Sequence, residues 1–512
     1  MRARSNSRRA WATALLAGAW GIAGAATPTR PNVLFIAVDD LRPELGCYGS
    51  AFIKTPNIDR FARTAEVFER HYTQFAVCIP SRVALLTGLS PERTHQTYGP
   101  PVWEKVPGAQ PWGRTFQAAG YATVSLGKIW HVEGGVLSDT FDVLQKTDRG
   151  RGYGDPANDA KLKAWQEAKR ARGGNRGDDN DLPGGAPIAE GVDQPDSAYM
   201  DGALADDAIA QLACLKSDGR PFMLAVGFHK PHIPFVAPKR YWDLYDPEKL
   251  PLAANPRAPR DVPAIAWSNN PNFHNYDYDG HTPLPKGGWE AQQMPEATAR
   301  WIRHGYFACV SFVDAQIGRV LDALEREGLA ENTIVVLWGD HGFHLGDLNL
   351  WGKQTNFEEA AHSPLIVRAP GLTTAGTRSA ALVETVDVLP TLVELCGITR
   401  LPVTDGTSFA PVLREPGRAW KDAVFHVFDR KWTFEDESRK ELVIGHAVRT
   451  ADYRLIEWRR GWSLAGERVA VELYDYAADP LETRNLADDP AHAAVRAQLE
   501  ARLRSGPARL NP

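Results

Sequence analysis

Val33-Leu34-Phe35-Ile36-Ala37-Val38 is an unbroken apolar run that stops abruptly at Asp39-Asp40. A run of this length bounded by polar residues reads as a strand buried on both faces. The pattern recurs. Phe222–Phe228 (FMLAVGF) ends at His229, Thr333–Trp338 (TIVVLW) is followed by Gly339 and then Asp340-His341, and a shorter run, Ala122–Leu126, is closed by Gly127-Lys128. Helical periodicity lies between them, at about Ser81–Gly88, Thr115–Ala119, Leu204–Lys216, Thr298–Glu327 and Val386–Cys396. Strands alternating with helices predict an α/β fold built on a large, mostly parallel central sheet flanked by helices. In such sheets the ligand site lies beyond the carboxyl ends of the strands. Each polar cluster just named falls there, which predicts one shared site.

Outward from this frame the composition changes. Residues 145–197 are rich in Gly, Asp, Arg and Asn, with one helix expected at Asp159–Arg172, and read as a surface insertion. The Pro-rich stretch 231–295 is a second long excursion. After about 415 short alternating runs such as Glu441–Val448 and Tyr453–Trp458 predict a small C-terminal α+β subdomain, 416–512, with an antiparallel sheet. The catalytic domain is expected to span 31–415. At the other end, Arg2, Arg4, Arg8 and Arg9 precede an apolar, small-residue stretch (residues 10–25) closing on Ala23-Gly24-Ala25. This reads as a signal peptide, 1–25, and predicts an exported protein, periplasmic or secreted, with no membrane span after cleavage. The competing reading, a membrane anchor, is disfavoured because the run falls short of the roughly 20 residues needed to span. The choice between general and twin-arginine export stays open.

The chain has 512 residues, of which 43% are hydrophobic and 24% charged, enough to bury a large core. Lys plus Arg number 58 against 63 Asp plus Glu, a net charge of −5 that argues against a dedicated nucleic-acid binder. Five Cys leave at least one unpaired within the chain. Cys214, Cys309 and Cys396 lie in apolar helical patterns and are expected as buried thiols. Cys47 follows the acidic segment and carries no assigned role.

Cys78 stands apart. It precedes Ile79-Pro80-Ser81-Arg82 and an apolar helix, and Pro and Ser suit a helix start. By chemistry alone it is either a structural or an activated thiol. Asp39-Asp40 and Asp340-His341, taken singly, would suit turns or caps. Together, at the ends of two buried strands, they offer oxygen ligands for a hard cation. Arg82, Lys128, His131, His229 and Lys353 supply candidate cationic groups in the same region.

Cys78-Ile79-Pro80-Ser81-Arg82 followed by Leu85-Leu86-Thr87-Gly88 resembles the signature of the type I, formylglycine-dependent sulfatases. Further matching segments are Ala37–Arg42, Gly127–His131, Gly227–Phe235, Gly339–Gly342, Arg449–Arg454 and Glu472–Leu486, and within the family they resemble the iduronate 2-sulfatases. The resemblance implies an alkaline-phosphatase-like sandwich and a sulfatase that hydrolyses sulfate monoesters of a sulfated carbohydrate, a glycosaminoglycan or another uronate-containing polysaccharide. It implies that a formylglycine-generating enzyme oxidises Cys78 to Cα-formylglycine, whose hydrate is the nucleophile. It implies one Ca²⁺ held by Asp39, Asp40, Asp340, His341 and residue 78. By the same resemblance Arg82 holds the hydrate, Lys128 binds hydrate and sulfate, and His131 takes the second hydroxyl's proton. His229 would protonate the leaving sugar oxygen and Lys353 would clamp the sulfate. Nitrogen is a poor Ca²⁺ ligand, which makes His341 the unusual member. Two alternatives stay open: a phosphonate monoester or phosphodiester hydrolase of the same superfamily, and an inactive carbohydrate-binding relative.

Overall fold

The structure is a computed structural model that describes residues 30–98, 103–131, 139–145, 149–171, 185–268, 271–433 and 440–506. The expected signal peptide lies outside the described residues. An 8-stranded sheet forms the centre. Its strands lie side by side in the order Thr377–Glu384, Glu66–Tyr72, Leu365–Arg368, Thr333–Gly339, Asn32–Val38, Phe222–Phe228, Ala122–Gly127 and Val143–Gln145. Leu365–Arg368 runs antiparallel to both of its neighbours, and all the other pairings are parallel.

The Asn32 strand is buried at every position, as its apolar run requires. Its alternate residues serve two separate cores, because successive side chains of a strand point to opposite faces. Leu34, Ile36 and Val38 pack with the long helix Glu296–Arg326 and the helix Met200–Asp218. Val33, Phe35 and Ala37 pack with the helices Cys78–Thr87, Trp112–Ala118 and Val388–Leu395 on the other face. The result is an α/β sandwich.

Several helices begin earlier than their apolar periodicity predicts. The helix expected from Ser81 starts at Cys78, with Pro80 in its first turn. Pro costs nothing there, because the first four N–H groups of a helix have no partner within it. Pro156–Ala171 is the helix of the 145–197 insertion. Among its described residues the 231–295 excursion contains only short elements. One of them, Phe235–Val236, pairs with Ala189–Glu190 and ties the excursion to the insertion.

The C-terminal part forms a 4-stranded antiparallel sheet of Ala423–Thr433, Lys440–Thr450, Tyr453–Arg460 and Arg468–Asp475, followed by the helix Ala493–Arg504. Arg454 joins it to the main body, donating to Glu482 at 2.7 Å and to Glu358 at 2.5 Å. All five Cys are free thiols. Cys309 and Cys396 are buried as expected, but Cys214 is exposed. The buried face of its helix runs through Leu204, Ala208, Leu212 and Leu215, and position 214 faces away from that stripe. Among the described residues no helix is long and apolar enough to cross a membrane.

Candidate active site

Strand register builds the site. Val38 pairs with Phe228 on one side and Gly339 on the other. The next residue of each strand, Asp39, His229 and Asp340, therefore emerges at one level of the sheet's carboxyl edge. Gly127 pairs with Gly227, which brings Lys128 to the same edge. Gly227 has a steric reason to be glycine: a Cβ there would collide with the Lys128 carbonyl, and that carbonyl accepts a hydrogen bond from Arg82 Nη1.

Cys78 enters from the opposite direction, as the first residue of its helix, with Arg82 one turn further on the same face. Ser81 Oγ donates to the Asp340 carbonyl at 2.5 Å and locks the helix start onto the strand end. Lys353 follows the short strand Trp351–Gly352. The backbone of the next residue, Gln354, is held by the Ala76 carbonyl and by Arg430 of the C-terminal sheet. The C-terminal part thus supports one wall of the site.

The sequence candidates meet in a buried cluster. Cys78 Sγ lies 3.2 Å from Asp39 Oδ1, 3.5 Å from His341 Nε2 and 3.0 Å from Lys353 Nζ. Lys128 pairs with Asp39, and Lys353 with Asp40. Arg82, with no exposed surface, reaches Asp340 at 3.0 Å and Asp39 at 3.3 Å. His131 is half-buried at the margin and shares a hydrogen bond with the Cys78 thiol.

Burial and the Asp39 charge both push the Cys78 thiol up, but Lys353, Lys128 and the His131 hydrogen bond outweigh them and hold it well below the ordinary thiol range. Burial raises Asp39 as well, yet Lys128, His232, Arg82 and Lys353 hold its carboxyl well below the usual range. Asp340 is pushed well above it, by burial and by the negative charge of Asp39. Burial lowers His341, but Asp340 outweighs it and raises the imidazole to about 9. Burial and the mutual repulsion of Asp39 and Asp340 are costs that an added cation would relieve.

The donor set fits such an ion. Asp39, Cys78, Asp340 and His341 each offer a ligand atom, all within 4.8 Å of one another, and Asp39, Asp40, Cys78 and His232 form an overlapping set. Among the described residues Asp40 Oδ2 is buried with no hydrogen-bond partner, a cost that a cation would offset. His341 Nδ1 lies 2.9 Å from the Gly342 carbonyl. A ring nitrogen at that distance donates its proton, so Nε2 faces the cluster and is the atom a cation would take in place of its proton, the usual arrangement of a ligating imidazole.

The loop after Phe228 places its two histidines differently. His229 faces Asp201, with Nδ1 3.5 Å from its carboxylate and 32% of the side chain exposed. It is His232 whose ring joins Asp39, Asp40 and Cys78. The matching segment Gly227–Phe235 contains both histidines, and only the path of the loop decides which of them turns inward. Asp201 carries no local motif, and Lys230 lies inside the matching segment Gly227–Phe235 without a predicted role. Cys47 is not part of the cluster: its thiol sits beside Asp59 and Arg378.

Comparison with known proteins adds a second line of observation. The family model described as Sulfatase matches residues 31–398, and one described as N-sulphoglucosamine sulphohydrolase, C-terminal, matches 346–508. The chain is 32% identical to iduronate 2-sulfatase of Homo sapiens, over 90% of this chain and 91% of that protein. It is 31% identical to the Mus musculus protein, over 91% and 92%. Among solved structures it is similar to a phosphonate monoester hydrolase from Silicibacter pomeroyi, with 26% identity, a TM-score of 0.69 and coverage of 94% of this chain and 97% of that one.

Proposed function

The chain belongs to the sulfatase family and is a sulfuric ester hydrolase; from that premise we propose that it is an exported enzyme releasing sulfate from a sulfated, uronate-containing carbohydrate. The observation that carries this reading is the convergence on Cys78 of three acidic and three basic side chains from separate strands and helices. Similarity to iduronate 2-sulfatases over nine-tenths of the chain supports the uronate.

In this reading Cys78 matures to Cα-formylglycine through a formylglycine-generating enzyme and then supplies an oxygen nucleophile. Asp39, Asp40, Asp340 and His341, with residue 78, would hold Ca²⁺, which would polarise the sulfate oxygens. The remaining steps rest on side chains. Lys128 and Lys353, each paired with one carboxylate beside Cys78, would bind the sulfate oxygens and stabilise negative charge as it develops. Arg82, fixed by Asp39 and Asp340, would hold the nucleophilic group in place. His131, hydrogen-bonded at position 78, would take the second hydroxyl's proton, which lets the transferred sulfate leave and the aldehyde re-form. We assign the proton donor to the leaving sugar oxygen to His232, in place of His229, because His232 shares the cluster. The insertion and the excursion pair at Ala189–Glu190 and Phe235–Val236, a few residues beyond His232, and would shape the sugar pocket.

The test is to mature the protein with a formylglycine-generating enzyme and offer defined sulfated disaccharides, following sulfate release. Release from 2-O-sulfated uronates supports the proposal. The similarity to a phosphonate monoester hydrolase supplies the rival, so phosphonate monoesters and phosphodiesters belong in the same panel. Faster turnover of either would overturn the reading.

A further inference from the structure

The His229–Phe235 loop is held from both ends by side chains outside the reacting cluster. Asp201 lies in the first turn of the helix Met200–Asp218 and is 2% exposed. Its Oδ1 accepts from the His229 N–H at 2.9 Å and its Oδ2 from the Lys230 N–H at 2.8 Å. One carboxylate thus fixes two consecutive peptide groups where the chain leaves the sheet. Lys230 then folds back beneath the loop. Its Nζ donates to the His232 carbonyl at 3.0 Å and to the Pro234 carbonyl at 2.6 Å. His232 Nδ1 lies 2.6 Å from the Ile233 carbonyl and donates to it, so the proton offered to a leaving oxygen would be the one on Nε2.

Lys230 is an expensive way to fill this space. Its ammonium is buried, and burial lowers its affinity for the proton. Backbone carbonyls, rather than a paired carboxylate, satisfy it. Removing an ammonium from water is costly, and an apolar side chain would pack the same volume without that cost. What the ammonium gains is a fixed position for two carbonyls, one of them belonging to His232.

We propose that Asp201 and Lys230 are positioning residues: Asp201 sets the start of the loop, Lys230 closes it, and together they aim His232 at the leaving oxygen of the ester. The inference rests on the reading of His232 as proton donor. Neither residue hydrogen-bonds to Cys78 or to the acidic cluster among the described contacts, so their effect runs through the loop.

The experiment compares two esters on the matured enzyme: a sulfated sugar, whose leaving alkoxide is basic and needs a proton, and an aryl sulfate with an acidic phenol, which needs one far less. Lys230→Met is expected to lower kcat on the sugar ester by about 100-fold, at the low end of what a positioned acid contributes. The loss on the aryl ester should stay under about 10-fold, with KM little changed. Asp201→Asn, which keeps one acceptor, should fall between Asp201→Ala and the parent in the same ratio. A merely structural role would lower both esters alike. His232→Ala separates the two claims. If it lowers both esters equally, the proton-donor reading fails. If it discriminates between them while Lys230→Met and Asp201→Asn do not, the positioning role is overturned. Should Lys230→Met not fold, Asp201→Asn decides the matter alone.

Discussion

Lys353 Nζ lies 3.0 Å from Cys78 Sγ, although 275 positions separate them in the chain. The contact joins the start of a helix to a loop braced by the C-terminal sheet, and it explains why a fully buried thiol is shifted towards its charged form. Position 78 is thus the electrostatic focus of the site. Cys78→Ala is expected to abolish sulfate release while the melting temperature stays within a few degrees of the parent. The peptide containing residue 78 in active protein should carry the mass of formylglycine. Activity from a preparation containing only unmodified thiol would refute the covalent mechanism.

Among the described residues Asp40 Oδ2 has no hydrogen-bond partner, and burial and Asp39 push Asp340 up; a bound cation would offset both costs. Dialysis against a chelator should lower the melting temperature and the activity, and Ca²⁺ should restore both. At a hundredfold excess over its dissociation constant the ion would add about 2.7 kcal/mol. A melting temperature indifferent to chelator and Ca²⁺ would argue against a bound ion.

His229 and His232 sit three positions apart, but only His232 joins the cluster. His232→Ala should reduce kcat on sugar sulfates by ~10²–10⁴-fold, and His229→Ala by much less. The reverse order, measured by steady-state kinetics on the same sugar ester, would return the proton-donor role to His229.

Glu472 is buried between Trp458 Nε1 and the Tyr474 hydroxyl, each 2.7 Å away, and burial raises it to about 7. An unfolded glutamate titrates near 4.5. Between these values the folded state holds the extra proton, so this group makes stability fall as pH rises through the window. At pH 8 the cost is on the order of 3 kcal/mol. Glu472→Gln keeps an acceptor for Trp458 and removes the ionisation. It should flatten the loss between pH 4.5 and 7 and raise the melting temperature at pH 8. An unchanged pH profile in thermal denaturation would contradict this.

Arg454, with no exposed surface, bridges Glu482 and Glu358 between the C-terminal sheet and the main body. Arg454→Met leaves Glu482 buried without its ion pair. Removing one partner of a buried pair costs about 3–5 kcal/mol, readable as a lowered denaturant midpoint. A midpoint equal to the parent's would show that the bridge adds nothing.

Much of this was legible in the residues. The apolar runs ending at Asp39, His229 and Asp340 marked buried parallel strands, because only a strand covered on both faces needs six or seven apolar residues in a row. The Cys78 motif and the acidic pairs named the chemistry, because such local patterns persist wherever the chain goes. The reversed strand Leu365–Arg368 and the exposed Cys214 escaped. A short apolar segment carries no direction, and an alanine-rich helix blurs its own faces.

The sequence by itself determined which side chains could react: a motif-bound cysteine, paired carboxylates and scattered cations, with the strands that carry several of them. Only the tertiary structure decided which of these meet. Register aligned Asp39 with Asp340, and loop closure by Asp201 and Lys230 turned His232 inward and left His229 at the rim. The physical reason is that a strand's periodicity is written in neighbouring residues. A loop's path is set by hydrogen bonds to partners far away in the chain, and no local pattern records them.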